Sequence, residues 1–153
     1  MNMSSLLMLI KSVDKAYLLM CEPILQEFSI PQTSFDIMMF LANNPQCYTA
    51  KDISEKRNIK PNVVSLYVQK LVETGFIERH DVQGDRRKIK LTCTEKAVPV
   101  IKAGHEVQKS FVRSLMNGLT QNDLEIFKNC FRVMIENAEA MQQEIINGGN
   151  RDV

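Results

Sequence analysis

GFIERHDVQGDRRKIKLT, residues Gly75 to Thr92, is the stretch of sequence that decides the fold. Two short segments with alternating apolar residues, 76–80 and 89–92, flank a polar turn around Gly84, and this pattern predicts a β-hairpin. The predicted tip carries three consecutive cations: Arg86, Arg87 and Lys88. Because surface charge is common, these cations alone fit a solvated basic loop as well as a nucleic-acid contact. The segments before the hairpin decide between the two interpretations.

A helix is predicted directly before the hairpin, from Lys60 to Thr74. Pro61 suits a first helical position, and Gly75 can close the helix in the left-handed conformation. The face opposite the apolar stripe carries small, amide and apolar side chains: Asn62, Ser65, Leu66 and Gln69. Such side chains suit contacts with base edges and thymine methyl groups in the major groove of DNA. Further DNA contacts are expected from Lys60 and, at phosphates, from Tyr67 and Lys70. An ordinary surface helix that is short of charge is the alternative.

Two shorter helices are predicted upstream. One runs from Gln32 or Thr33 to Ala42, and the next opens at Thr49, which can form a capping box with Asp52. Helix, turn, helix and basic hairpin is the order of a winged helix-turn-helix, with 60–74 as the recognition helix. The wing, residues 81–88, is then expected in the minor groove.

These residues and their spacing resemble the MarR family of bacterial transcriptional regulators over nearly the whole chain. The most specific shared element is Gly75, followed by Arg79, the Asp85-Arg86-Arg87 wing and Leu91-Thr92. The resemblance implies a homodimeric regulator, in most cases a repressor, that binds double-stranded DNA at a palindromic operator. It also implies that Asp85 holds one wing arginine in a charge-assisted pair while the other enters the minor groove.

The sequence departs from the family pattern at two places. Leu66 stands where the family often carries an arginine or lysine in the recognition helix, and the glycine that commonly follows Leu-Thr is missing. Thr92 to Glu95 has the pattern of a capping box, so a helix is expected from about Cys93 to Asn117. A last helix is expected to be capped by Thr120.

The long amphipathic helices at the two ends of the chain predict a dimer. Their apolar stripes have no target within a small winged domain, and a second copy related by a two-fold axis would bury them. The expected fold is mainly α with a small β-hairpin wing, in four parts: 1–30, an N-terminal dimerisation helix; 31–92, the winged helix-turn-helix; 93–147, C-terminal dimerisation helices; and 148–153, a flexible tail.

Release by a small ligand is a further expectation from the resemblance, since regulators of this family often respond to apolar or phenolic effectors. Methionine adapts to varied apolar ligands, and the chain has nine methionines. The hypothetical effector pocket consists of Tyr17, Met20, Phe35, Met38 and Met39. Ordinary core packing is the alternative for each of them.

Cysteine spacing argues against a metal site or a disulfide framework. Cys21, Cys47, Cys93 and Cys130 are scattered, without a CxxC pair or a histidine at ligand spacing, and no metal or cofactor is expected. A redox-sensing regulator is an alternative function. Cys93, expected at a helix start beside the basic wing, is its first candidate thiol, and Cys21 is its second.

Composition is typical of a soluble globular protein, and the uneven charge predicts salt-sensitive binding without naming the ligand. Residues 51–90 carry ten cations and six acidic residues, although the net charge of the whole chain is only +1. His80 and His105 have no catalytic motif nearby, so an enzyme is not expected. With no membrane segment or signal sequence apparent, we expect a cytoplasmic protein. A winged-helix protein-interaction module without DNA binding remains the alternative.

Overall fold

The computed structural model describes residues 2–148, which form six α-helices and one antiparallel hairpin. The helices are α1 (Met3–Glu27), α2 (Gln32–Asn43), α3 (Ala50–Arg57), α4 (Pro61–Glu73), α5 (Val98–Leu115) and α6 (Gln121–Gly148). The strands are β1 (Ile77–Val82) and β2 (Asp85–Cys93). The predicted mainly α fold with a hairpin wing is confirmed. The chain divides into two compact units, unit 1 (Met1–Phe111) and unit 2 (Val112–Val153).

The long N-terminal helix is confirmed. α1 begins at Met3 because Asn2 caps it, with Oδ1 accepting a hydrogen bond from the backbone N–H of Ser5 at 2.8 Å. Pro23 lies inside α1 and does not end it, since the helix continues to Glu27. Its buried residues, Cys21 and Ile24, belong to the core of unit 1.

The core of unit 1 is built around α2. Phe35, Ile37 and Met38 are fully buried in this helix, and the apolar face of α4 packs into the same cluster through Val64, Val68 and Leu71. Burying a side chain of this size stabilises the fold by roughly 1.5–3 kcal/mol. Burial of one face of α4 fixes which of its residues point outward.

Local chemistry sets both ends of the helix-turn-helix. The Thr49 hydroxyl accepts a hydrogen bond from the backbone N–H of Asp52 at 3.1 Å, while the Asp52 carboxylate accepts one from the N–H of Thr49 at 2.9 Å, so the predicted capping box is confirmed. At the C-terminus of α4, Gly75 has a φ of +74°. Its N–H donates to Val72 O and that of Phe76 to Leu71 O, which is a Schellman motif.

The hairpin is longer than predicted. β1 and β2 pair from Ile77 with Cys93 to Val82 with Asp85, and the turn consists only of Gln83 and Gly84. The prediction that residues 86–88 form the tip was wrong: they lie in β2, at a register irregularity between the Asp81–Ile89 and Val82–Asp85 pairs. Gly84 has a φ of +88°, which glycine adopts without steric cost, so the turn can be this tight.

The junction between β2 and α5 also differs from the prediction. Thr92 pairs with Glu78 and Cys93 with Ile77, so the residues that were expected to start a helix are part of strand β2. The capping box at 92–95 was therefore wrong. A 3₁₀ turn, Glu95–Ala97, follows, and α5 begins only at Val98.

Unit 2 consists of the end of α5, a turn and α6. Gly118 takes a φ of +89° in the turn. The predicted cap is confirmed, because the Thr120 hydroxyl accepts a hydrogen bond from the N–H of Asp123 at 3.2 Å. α6 continues through Gly148, where a break was expected, while the rest of the predicted flexible tail, 149–153, lies outside the described residues. No helix in the described part of the chain has the length and apolar character needed to cross a membrane.

Candidate nucleic-acid interface

The outward face of α4 carries the side chains that the sequence predicted for base contacts. Asn62, Ser65, Leu66 and Gln69 are all exposed. Leu66 is 52% exposed, whereas Val64, Val68 and Leu71 on the other face of the helix are packed into the core. Gln69 is oriented by its neighbour, since its Nε2 donates a hydrogen bond to Glu73 Oε1 at 2.8 Å.

The other predicted residues of α4 border this face. Lys60 occupies the N-cap position and is exposed. The Lys70 ammonium lies 5.3 Å from the centre of the half-buried Tyr67 ring, a cation–π contact that keeps both polar groups at the edge of the face. Their expected contacts with phosphates stay a prediction.

Cations line the wing along both strands. Arg79, Arg87, Lys88 and Lys90 are exposed. Asp85 accepts, through Oδ1, a hydrogen bond from the backbone N–H of Arg87 at 3.1 Å, so its described contact is with main chain and not with a guanidinium. The Arg86 side chain lies outside the described part of the structure, and the expected pair between Asp85 and one of the two wing arginines stays a prediction.

A cleft brings the two predicted regions together. It has a volume of about 610 Å³ and lies between α3, α4 and the wing. Ser65 of α4 and the wing residues Arg87 and Lys88 border it together. α4 and the wing therefore contribute to one continuous surface.

Asp52 connects the wing electrostatically to α3. Burial acts to raise the pKa of this carboxyl, but hydrogen bonds from Thr49 and Tyr48 and the charge of Lys88 outweigh it, and the pKa is lowered. The carboxylate is therefore ionised at neutral pH, where it caps α3 and attracts Lys88.

The sequence analysis missed the residues that hold the C-terminal end of α4. Lys96 donates a hydrogen bond to Thr74 O at 2.7 Å, and its ammonium lies 4.7 Å from the centre of the Phe76 ring. The Thr94 hydroxyl donates to Gly75 O at 2.6 Å. These residues, which precede α5, bind the backbone carbonyls that follow the C-terminal end of α4. A helix C-terminus attracts cations, but no local pattern indicates which distant lysine returns to it.

Three residues of the predicted effector pocket lie in the core and two lie on α1, and the pocket stays a prediction. Phe35, Met38 and Met39 are buried in the core, where Phe35 and Met39 pack against Gly104 of α5. Tyr17 and Met20 are half-buried. Neither of the two described cavities is lined by any of the five.

A chain of hydrogen bonds joins α1, α2 and α5 beside these residues. Gln108 Nε2 donates to the Tyr17 hydroxyl at 3.3 Å, and Asn43 Nδ2 donates to Gln108 Oε1 at 3.2 Å. His105 Nε2 lies 2.9 Å from Asn43 Oδ1. Burial raises the pKa of Tyr17, so its hydroxyl stays neutral and can both donate and accept.

The two candidate redox thiols lie in environments that suppress the thiolate. Burial raises the pKa of Cys93 to about 11 and also raises that of Cys21. The expectation that Cys93 stands at a helix start was wrong, because it ends β2. A thiol of raised pKa reacts slowly with oxidants. Residues 2–148 contain no cluster of three or more His, Cys, Asp or Glu side chains suited to a metal ion.

Residues 28–88, which span α2 to the wing, match the family model described as MarR family. The resemblance to the MarR family of transcriptional regulators is thereby confirmed for the segment from α2 to the wing. The transcriptional regulator ZitR of Lactococcus lactis subsp. cremoris is 29% identical over 110 residues, which are 70% of this chain and 74% of ZitR.

Solved structures of this family share the fold. A MarR protein from Peptoclostridium difficile superposes with a TM-score of 0.79 at 17% identity, over 94% of each chain. MepR of Staphylococcus aureus, solved as a complex with DNA, gives a TM-score of 0.72 at 17% identity, over 90% of this chain and 96% of MepR. The family consists of regulators, so the expectation that this protein is not an enzyme is confirmed.

Proposed function

We propose that this MarR-family protein is a homodimeric, sequence-specific DNA-binding repressor that recognises an inverted repeat. The observation that carries the proposal is the shared cleft, in which Ser65 from the uncharged face of α4 and the cations Arg87 and Lys88 from the wing border one surface. α4 enters the major groove, and the wing reaches the adjacent minor groove. MepR, with the same fold, was solved with DNA, which supports this mode of binding. We place the repressor in the bacterial cytoplasm, where its operator lies.

The dimer part of the proposal rests on the apolar side chains that a single chain leaves exposed. On α1 they include Leu7, Leu9 and Ile10, and on α6 they include Phe127, Phe131 and Met134. Exposed apolar surface of this extent is typical of a protein interface. A two-fold dimer covers it and holds two recognition helices about 34–36 Å apart, one turn of DNA.

Release by an apolar or phenolic effector is the narrower part of the proposal. Met38 and Met39 lie in the core between the helix-turn-helix and α5, and methionine side chains rearrange at low cost. A ligand that displaces Met39 from Gly104 would separate α2 from α5. A panel of phenolic compounds should then raise the melting temperature of the free protein and weaken its DNA binding together.

Fluorescence anisotropy on DNA from upstream of the protein's own gene tests the central proposal. Wild type should bind tightly, and binding should weaken steeply as salt rises, because phosphate contacts release counterions. Arg86→Ala/Arg87→Ala should abolish specific binding. Lys102→Ala/Lys109→Ala is the matched control, since it removes the same charge from exposed positions on α5.

The salt series also separates the alternative function. Binding that persists in high salt and survives loss of both wing arginines would indicate a protein-interaction module, because an apolar interface responds weakly to salt. Equal affinity for the upstream DNA and for random duplex would reject sequence-specific recognition at that site.

A further inference from the structure

The exposed face of α4 has a composition that favours one kind of base pair. From Pro61 to Gln69 the helix contains no Arg, Lys, Asp or Glu. Arginine and lysine are the commonest specific partners of guanine, and acidic side chains accept from cytosine. The centre of this face therefore lacks the charged side chains with which proteins usually identify G·C pairs.

Leu66 supplies an apolar group at the centre of the same face. The residue is 52% exposed, whereas the apolar residues on the other face of α4 are buried. In the major groove, the thymine methyl is the base substituent that an apolar side chain recognises. A leucine that projects from a recognition helix is thus suited to thymine.

Gln69 supplies the complementary group for adenine. Glu73 accepts one Nε2–H at 2.8 Å, and because a carboxylate can only accept, this bond fixes which end of the amide is nitrogen. The second N–H and Oε1 remain for N7 and the N6 amino group of adenine, which is the bidentate pairing of glutamine with this base. Leu66 and Gln69 are three residues apart and lie side by side on the helix, so they face neighbouring base pairs.

We infer that α4 recognises A·T pairs at the centre of each half-site, with Leu66 against a thymine methyl, Gln69 paired with adenine, and Glu73 as the positioning residue of that amide. The inference rests on the proposed DNA-binding function and specifies its target.

Selection from a randomised duplex library with the full-length protein is the first test. Selected half-sites should carry A·T pairs at the centre of the α4 footprint. A G·C centre would overturn the inference while leaving DNA binding intact. If no sequence is enriched over random duplex, the proposed function itself fails, and this inference with it.

Deoxyuridine substitution is the sharper test, because it removes only the thymine methyl. In the selected duplex, replacing the central thymine should weaken wild-type binding about fourfold per half-site, the value of one buried methyl group. Leu66→Ala should bind the thymine and deoxyuridine duplexes equally. Alanine favours helix and the position is exposed, so α4 should still fold, which circular dichroism can verify. If deoxyuridine leaves the affinity of wild type unchanged at every thymine position, Leu66 does not recognise a thymine methyl.

Gln69→Ala should lose about tenfold of the preference for adenine at its position. Glu73→Gln should relax the same preference, because a glutamine can donate as well as accept and no longer fixes the Gln69 amide. Base preference is the decisive quantity here, since a merely structural role of Glu73 would lower affinity for all sequences alike. A Glu73→Gln variant with an unchanged preference would overturn the positioning role.

Discussion

α4 and α6 are both amphipathic helices, but their apolar faces have different partners. In α4, Val64, Val68 and Leu71 are buried in the core of unit 1. In α6, aromatic and aliphatic side chains such as Phe127 and Phe131 remain exposed in the single chain. One chain therefore completes the helix-turn-helix, whereas the apolar face of the C-terminal helix stays uncovered in the single chain and is covered only in the proposed dimer.

Truncation of Phe35 should cause the largest loss of stability in unit 1, whose core one chain completes. Its ring is fully buried and packs against Gly104, so Phe35→Ala should lower the free energy of unfolding by about 3–5 kcal/mol. The loss should be independent of protein concentration in urea denaturation, because the contacts lie within one chain. A concentration-dependent loss would mean that the core of unit 1 also needs the partner.

Polar substitution on α6 tests the other helix, whose exposed apolar face is the proposed dimer interface. The rings of Phe127 and Phe131 stack with centroids 5.6 Å apart, and together they form an aromatic patch. Phe127→Ser/Phe131→Ser should raise the dimer dissociation constant by at least about 100-fold, as loss of central aromatic residues does at interfaces. Sedimentation equilibrium measures this constant, and Lys128→Ser/Arg132→Ser is the control on the same helix. If the variant is still dimeric at the concentrations at which wild type is dimeric, the interface does not include these two rings.

The attachment of α4 to the start of α5 predicts a smaller effect. Lys96→Met removes both the hydrogen bond to Thr74 O and the cation–π contact with Phe76, which together should cost about 1 kcal/mol of stability. Since Lys96 fixes the end of the recognition helix, specific DNA affinity should fall several-fold in an anisotropy titration. Lys102→Met is the matched control. If the two variants bind DNA with equal affinity, Lys96 contributes to stability and not to DNA binding.

The regions also differ in how far the sequence predicts them. Local signals identified the capping box at Thr49, the cap at Thr120, the Schellman glycine Gly75 and the exposed face of α4, because each depends on neighbours within one turn. The sequence interpretation failed at 92–95, where a local helix start competed with a strand ladder formed across the hairpin. It missed Lys96 for the same reason, since its partner Thr74 is distant in sequence. Pairing between separated segments decides such positions.

Two matched capping boxes provide the smallest and most direct comparison. Thr49 with Asp52 starts α3, and Thr120 with Asp123 starts α6, through the same pair of hydrogen bonds. Thr49→Ala should lower the global stability by about 1 kcal/mol. Thr120→Ala should instead accelerate amide exchange only in the first turn of α6, because that helix end is solvated. A global loss in both variants would show that α6 folds as one unit with the helix-turn-helix.

The two aspartates add a pH dependence to this comparison. Hydrogen bonds from Thr120 lower the pKa of Asp123, and those from Thr49 and Tyr48 outweigh burial to lower that of Asp52. Because the folded pKa lies below the ordinary value of 3.8, each contribution is complete above that pH and is lost as the pH falls through the lowered value. Acid titration followed by circular dichroism should therefore show a steeper loss of stability below pH ~4 in wild type than in Asp52→Asn, which has no proton to gain. An identical slope in the two proteins would mean that Asp52 has the same pKa in the folded and unfolded chains, and that its hydrogen bonds at the start of α3 contribute nothing to stability.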